Sequence, residues 1–81
     1  MIIKIGKIEF LLTKHCQERM LQRNISIDRI KEAIIYGVKL INNFRKKDGT
    51  GRVNNLQYRF IFDCLIVIVE YEPFPRIITV I

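Results

Sequence analysis

Several ingredients of common protein chemistries are scarce in this chain. It holds one histidine and two cysteines in 81 residues. Cys16 and Cys64 stand far apart and form no C-x-x-C pair, so neither a zinc site nor a disulfide-built scaffold is expected. Both thiols are expected to be reduced, buried and apolar in role. No apolar run reaches the roughly 18 residues of a membrane-spanning helix. The start, Met1 to Phe10, is broken by charges and carries no signal-peptide pattern. A cytoplasmic location and no membrane partner are therefore expected. Proline occurs only at Pro73 and Pro75. Repeats, linkers and low-complexity tracts are lacking, so residues 1–81 are expected to form one domain. Acidic residues are also in the minority, eight against fourteen lysines and arginines, for a formal charge of +6. That imbalance favours an anionic partner: RNA, DNA or an acidic protein.

What is present has a clear period. Ile2 to Leu12 reads as extended, either one strand or a small hairpin about Gly6-Lys7. Thr13 suits a helix N-cap, Lys14 to Arg23 read as a first helix, and Asn24 suits a left-handed stop. Ser26 is a second N-cap, with Asp28 in the favourable first turn. Ile27, Ile30, Ala33 and Ile34 form one apolar stripe, and Gly37 ends that helix. From Val38 onward the chain reads as strand: Val38 to Lys46, a turn over Lys47-Asp48-Gly49-Thr50-Gly51, then Arg52 to Asp63. Leu56, Tyr58, Phe60 and Phe62 alternate with Gln57, Arg59, Ile61 and Asp63. After a tight turn at Asp63-Cys64, Leu65 to Tyr71 is apolar on both faces, as in a central strand. Arg76 to Ile81 is the last strand. The order β-α-α-β-β-β-β predicts an α+β domain, with two N-terminal helices packed on one face of a four- to five-stranded, mainly antiparallel sheet. The opposite face would carry the mixed positions Asn43, Arg45, Arg59, Ile61 and Glu70.

The densest chemistry lies in the first helix. His15, Arg19 and Arg23 are spaced one turn apart and form a polar edge, beside an apolar stripe of Cys16 and Met20. The pattern His-x-x-x-Arg-Met-x-x-Arg-x-Ile, here His15, Arg19, Met20, Arg23 and Ile25, precedes a short helix ending at Gly37 and strands ending in Ile78-Thr79-Val80. This combination resembles a widespread family of small prokaryotic domains of unknown function, over about residues 12–81. Members of that family commonly carry glycine where this chain has Asn24, and asparagine tolerates the same backbone region. The element order also resembles the RelE/BrnT-like ribonuclease toxins of toxin–antitoxin systems, which are metal-independent and cut RNA. That likeness is one of fold, and it carries no catalytic residue across. It implies RNA as substrate and an antitoxin-like protein partner.

Metal-free RNA cleavage needs a base, an acid and cations that stabilise the crowded phosphorane. Histidine suits proton transfer near neutral pH, and arginine binds phosphate oxygens in a bidentate fork. His15, Arg19, Arg23 and Arg59 are the candidate catalytic set. Arg45, Lys46, Lys47, Arg52, Arg76 and Tyr71 are candidate nucleic-acid contacts, and Phe44 and Tyr58 would stack bases if exposed. No cofactor or metal is expected. A nucleophile built on serine or cysteine is not expected either, because Ser26 is used as a cap and the adjacent His15 and Cys16 diverge on a helix. Three functions fit these residues: a small RNA-binding domain that is a metal-independent ribonuclease toxin, a non-catalytic module that holds RNA or protein, or a motif that only ties the helical corner to the sheet. A monomer and a dimer paired through an exposed edge strand both fit.

Overall fold

The computed structural model describes residues 1–42 and 57–81. The chain order is β1 (Ile2–Ile5), β2 (Ile8–Leu12), α1 (Lys14–Arg23), α2 (Ile27–Tyr36), β3 (Val38–Asn42), β4 (Gln57–Phe62), β5 (Leu65–Glu70) and β6 (Arg76–Val80). The strands form one open sheet in the order β1-β2-β6-β5-β4-β3. All neighbours run antiparallel except β2 and β6. The architecture is the expected α+β, with order β-β-α-α-β-β-β-β and six strands where four or five were anticipated. The extra strand arises because residues 2–12 fold back on themselves. Gly6 has φ +61°, a conformation that side chains with a Cβ rarely adopt, and the hairpin turns there.

Both helices start on a hydroxyl cap. The Thr13 Oγ1 accepts from the Cys16 N–H at 3.1 Å and donates to the Ile78 carbonyl at 2.8 Å, so the cap also ties α1 to β6. Ser26 accepts from the Arg29 N–H at 3.3 Å. Asn24 stops α1 in the left-handed region, φ 53°, as its side chain allows. Gly37 ends α2 for a different reason from the expected left-handed stop. Its backbone is extended, φ −73°, and an added Cβ would lie 2.2 Å from the Ala33 carbonyl oxygen and 2.8 Å from that of Ile61. Glycine is required there because the backbone of α2's own last turn and that of β4 both crowd the position.

One core joins the elements. Cys16 from α1 and Ile30 and Ala33 from α2 cluster with Phe10, Leu12, Phe60, Val67, Val69, Ile77 and Val80 from the strands. Each large aliphatic or aromatic side chain so buried stabilises the fold by about 1.5–3 kcal/mol. α1 packs on β6, while α2 packs on β4 and β5 and reaches β1. β5 is the expected central strand, with Leu65, Val67, Ile68 and Val69 all buried. Cys16 is buried as expected, but Cys64 is exposed. It is the second residue of the two-residue turn between β4 and β5, and both Asp63 and Cys64 have positive φ. Among the described residues no helix is long and apolar enough to cross a membrane.

Candidate nucleic-acid interface

α1 is held by its apolar side and its ends, which leaves one edge unclaimed. Cys16 is fully buried and Met20 packs against the core. The Gln17 amide donates to the Leu12 carbonyl at 3.1 Å. At the far end the Ile25 N–H reaches the Met20 carbonyl at 2.9 Å, and the Asn24 N–H caps Leu21. Backbone donors thus fill the C-terminal carbonyls that Arg23 might have served. His15 and Arg23 are exposed and Arg19 is half-buried. No side-chain hydrogen bond or ion pair to another described residue involves any of the three. Successive members lie about 6 Å apart along the helix axis, so an imidazole and two guanidinium groups form a continuous polar edge on its outer side, cationic at Arg19 and Arg23.

Two other arginines, Arg29 and Arg76, are committed. Arg29 on α2 lies 3.8 Å from the Asp63 carboxylate and 3.5 Å from its carbonyl oxygen. It shares a shallow cleft with Arg23, Ile25, Cys64 and Ile81, so it extends the cationic edge towards the β4–β5 turn. Arg76 pairs with the buried Glu70 and donates to the Glu72 carbonyl at 3.0 Å. Its guanidinium also sits over the Phe74 ring at 5.3 Å. Arg76 therefore closes the end of β6, and its contacts are internal.

Tyr71 is packed rather than presented. Its ring lies 5.4 Å from that of Tyr58 and 6.0 Å from that of Phe10. Burial pushes its phenol pKa up, and Tyr58 adds to that shift. The Lys39 ammonium stands 4.4 Å from the Tyr58 ring centre and 5.3 Å from that of Tyr71, a cation–π arrangement worth about 0.5–1 kcal/mol at an exposed site. Burial pushes the Cys16 thiol from 9.0 to about 11, which keeps it protonated and unreactive beside His15.

The structure gathers His15, Arg19 and Arg23 on one helix edge. Arg59 stands apart from them. It pairs in register with Leu40 and Ile68 and lines a groove walled by residues of β4, β5 and β6 together with Ile81. The strand that α1 packs on, β6, lies two strands from β4, about 10 Å across the sheet. Arg45, Lys46, Lys47 and Arg52, with Asn43, Phe44, Leu56 and the turn over residues 47–51, lie outside the described residues. Sequence reasoning missed Arg29 and Lys39. Arg29 becomes visible only when the β4–β5 turn folds back to α2, and Lys39 only when β3–β4 register places it opposite Phe60.

No curated protein and no solved structure matches the chain significantly. The resemblance carried by the α1 motif does lead to a family. Residues 12–81, which hold the whole cationic edge and every strand except β1 and most of β2, match the model of the domain of unknown function DUF4258, and the chain belongs to that family.

Proposed function

We propose that this protein binds RNA through the phosphate backbone, with the outer edge of α1 as its principal contact. One observation carries this reading: His15, Arg19 and Arg23 stand in a row with no partner in the described chain, while Arg29 and Arg76 are tied to carboxylates. Unpaired guanidinium groups at one-turn spacing are suited to successive anionic oxygens. The net charge of +6 supplies long-range attraction, and Arg45, Lys46, Lys47 and Arg52 add basic residues in sequence.

Fluorescence anisotropy with a labelled single-stranded RNA tests this. Affinity should fall as salt rises, with a slope of about −0.7 per phosphate neutralised. Arg19→Ala with Arg23→Ala should weaken binding about tenfold or more and flatten that slope by about 1.4. No binding at micromolar protein, or binding indifferent to both substitutions, would overturn the proposal. The exposed imidazole one turn from Arg19 favours a second reading, metal-independent cleavage, in which His15 moves the proton of the ribose 2′-hydroxyl or of the leaving 5′-oxygen. RNA cut in the presence of EDTA by the wild type, and left intact by His15→Ala of equal affinity, would establish it. Intact RNA in both leaves binding alone.

A further inference from the structure

Among the described residues the second face of the sheet carries no helix, and it holds an unmet hydrogen-bond donor. Phe60, Val67 and Val80 sit in register across β4, β5 and β6 and face the core. Alternation turns the next row, Arg59, Ile68 and Thr79, to the opposite side. These three, with Ile66, Ile78 and Ile81, line a groove of about 350 Å³. The Arg59 Nε is buried and has no hydrogen-bond partner. The acid on this face, Glu70, is already taken. It pairs with Arg76 and accepts from the Gln57 amide at 2.8 Å. A guanidinium N–H therefore sits among isoleucines without an acceptor, an arrangement that disfavours the unliganded face.

We infer that this face docks an acidic amphipathic segment of a partner protein, which lays aliphatic side chains over Ile66, Ile78 and Ile81 and brings a carboxylate to Arg59. Charge and polarity select this occupant. Phosphate and ribose do not suit an isoleucine floor, so RNA belongs elsewhere. A second copy of the chain carries the same +6 and would offer this groove Arg59 in place of a free carboxylate. The surface holds none of His15, Arg19 and Arg23 and meets the Arg29 cleft only at Ile81, so Arg59 variants test this inference apart from RNA binding.

The test uses the whole chain with isoleucine methyl groups labelled for NMR, and two synthetic peptides. Each peptide carries leucines at helical spacing among acidic residues. They differ at one position within the leucine stripe, glutamate in one and glutamine in the other. The glutamate peptide should shift the methyl signals of Ile66, Ile78 and Ile81 and bind about tenfold tighter than its twin, as expected of a charge-assisted pair. That preference should vanish in Arg59→Met, which keeps an unbranched stem beside Ile68. If Arg59→Met fails to fold, Arg59→Gln, which keeps a polar end but no positive charge, should lose the same preference. Equal affinities, shifts confined to other isoleucines, or no binding at about 1 mM peptide would overturn the inference. So would a chain that dimerises in sedimentation and is returned to monomer by Ile66→Glu, or a groove that binds dodecanoate more tightly than the glutamate peptide.

Discussion

The two helices have equal length and matching hydroxyl caps, yet they are used differently. α2 is built for packing. It buries Ile30 and Ala33, meets β4 at Gly37 with no space for a Cβ, and ties Arg29 to Asp63. α1 buries one side chain completely, Cys16, and leaves the side chains of His15, Arg19 and Arg23 without hydrogen-bond or ion-pair partners among the described residues. A small domain has little surface to spare for side chains that neither pack nor pair. The contrast is that α2 is accounted for largely by contacts within the fold, whereas the side chains of the α1 edge make no hydrogen bond or ion pair among the described residues.

The sharpest way to break the contrast is at Gly37. Gly37→Ala forces a methyl group against two backbone oxygens, neither of which can swing aside as a side chain would. A loss of about 3 kcal/mol in denaturant unfolding is expected, at the upper end for overpacking. A neutral result would mean that neither the last turn of α2 nor β4 crowds this position, and the contrast between the helices would narrow.

A second test concerns the one side chain that α1 gives fully to the core. The Cys16 thiol is raised by burial to about 11 in the folded chain, from an ordinary 9.0. Below pH 9 both states keep the proton, so the thiol adds no pH dependence. Between pH 9 and 11 the unfolded chain releases it while the folded chain retains it, so stability falls as pH rises and levels off above the folded value. The loss should be about 2 kcal/mol across that window. Cys16→Ala should remove that component, and a variant with the same alkaline slope as the wild type would show that the thiol is less secluded than α1 packing implies.

Much of this was legible in the residues, for local reasons. Thr13, Asn24 and Ser26 set the helix ends because caps and left-handed stops depend on one or two side chains. The β5 run announced a strand buried on both sides through its unbroken apolar pattern. The β1–β2 hairpin was one of two options because Gly6-Lys7 permits a turn without forcing one. The parallel pairing of β2 with β6 was not legible, since nothing in Leu11 or Leu12 specifies Arg76 and Ile77 as partners. The candidate site divided in the same way. His15, Arg19 and Arg23 form one edge by helical spacing alone, which periodicity supplies. The surroundings of Arg59, and the internal pairing of Arg76 with Glu70, depend on strand order and register.

The smallest expected effect on stability is the most telling for function. Arg19→Ala and Arg23→Ala remove side chains with no partner among the described residues, so each should change stability by no more than about 0.5 kcal/mol. Arg29→Ala removes a pair that is long, at 3.8 Å, and solvent-exposed, and such pairs contribute about 0–1 kcal/mol. Thermal melts therefore separate these three arginines poorly, and RNA affinity should separate them well. Arg19 and Arg23 keep all their donors for phosphate, whereas Arg29 shares its donors with Asp63. The first two should dominate the salt-dependent slope, and Arg29→Ala should weaken binding by no more than about twofold. If Arg19→Ala or Arg23→Ala instead costs more than about 1 kcal/mol in unfolding with RNA affinity unchanged, the edge is a brace for the helical corner, and α1 is as structural as α2.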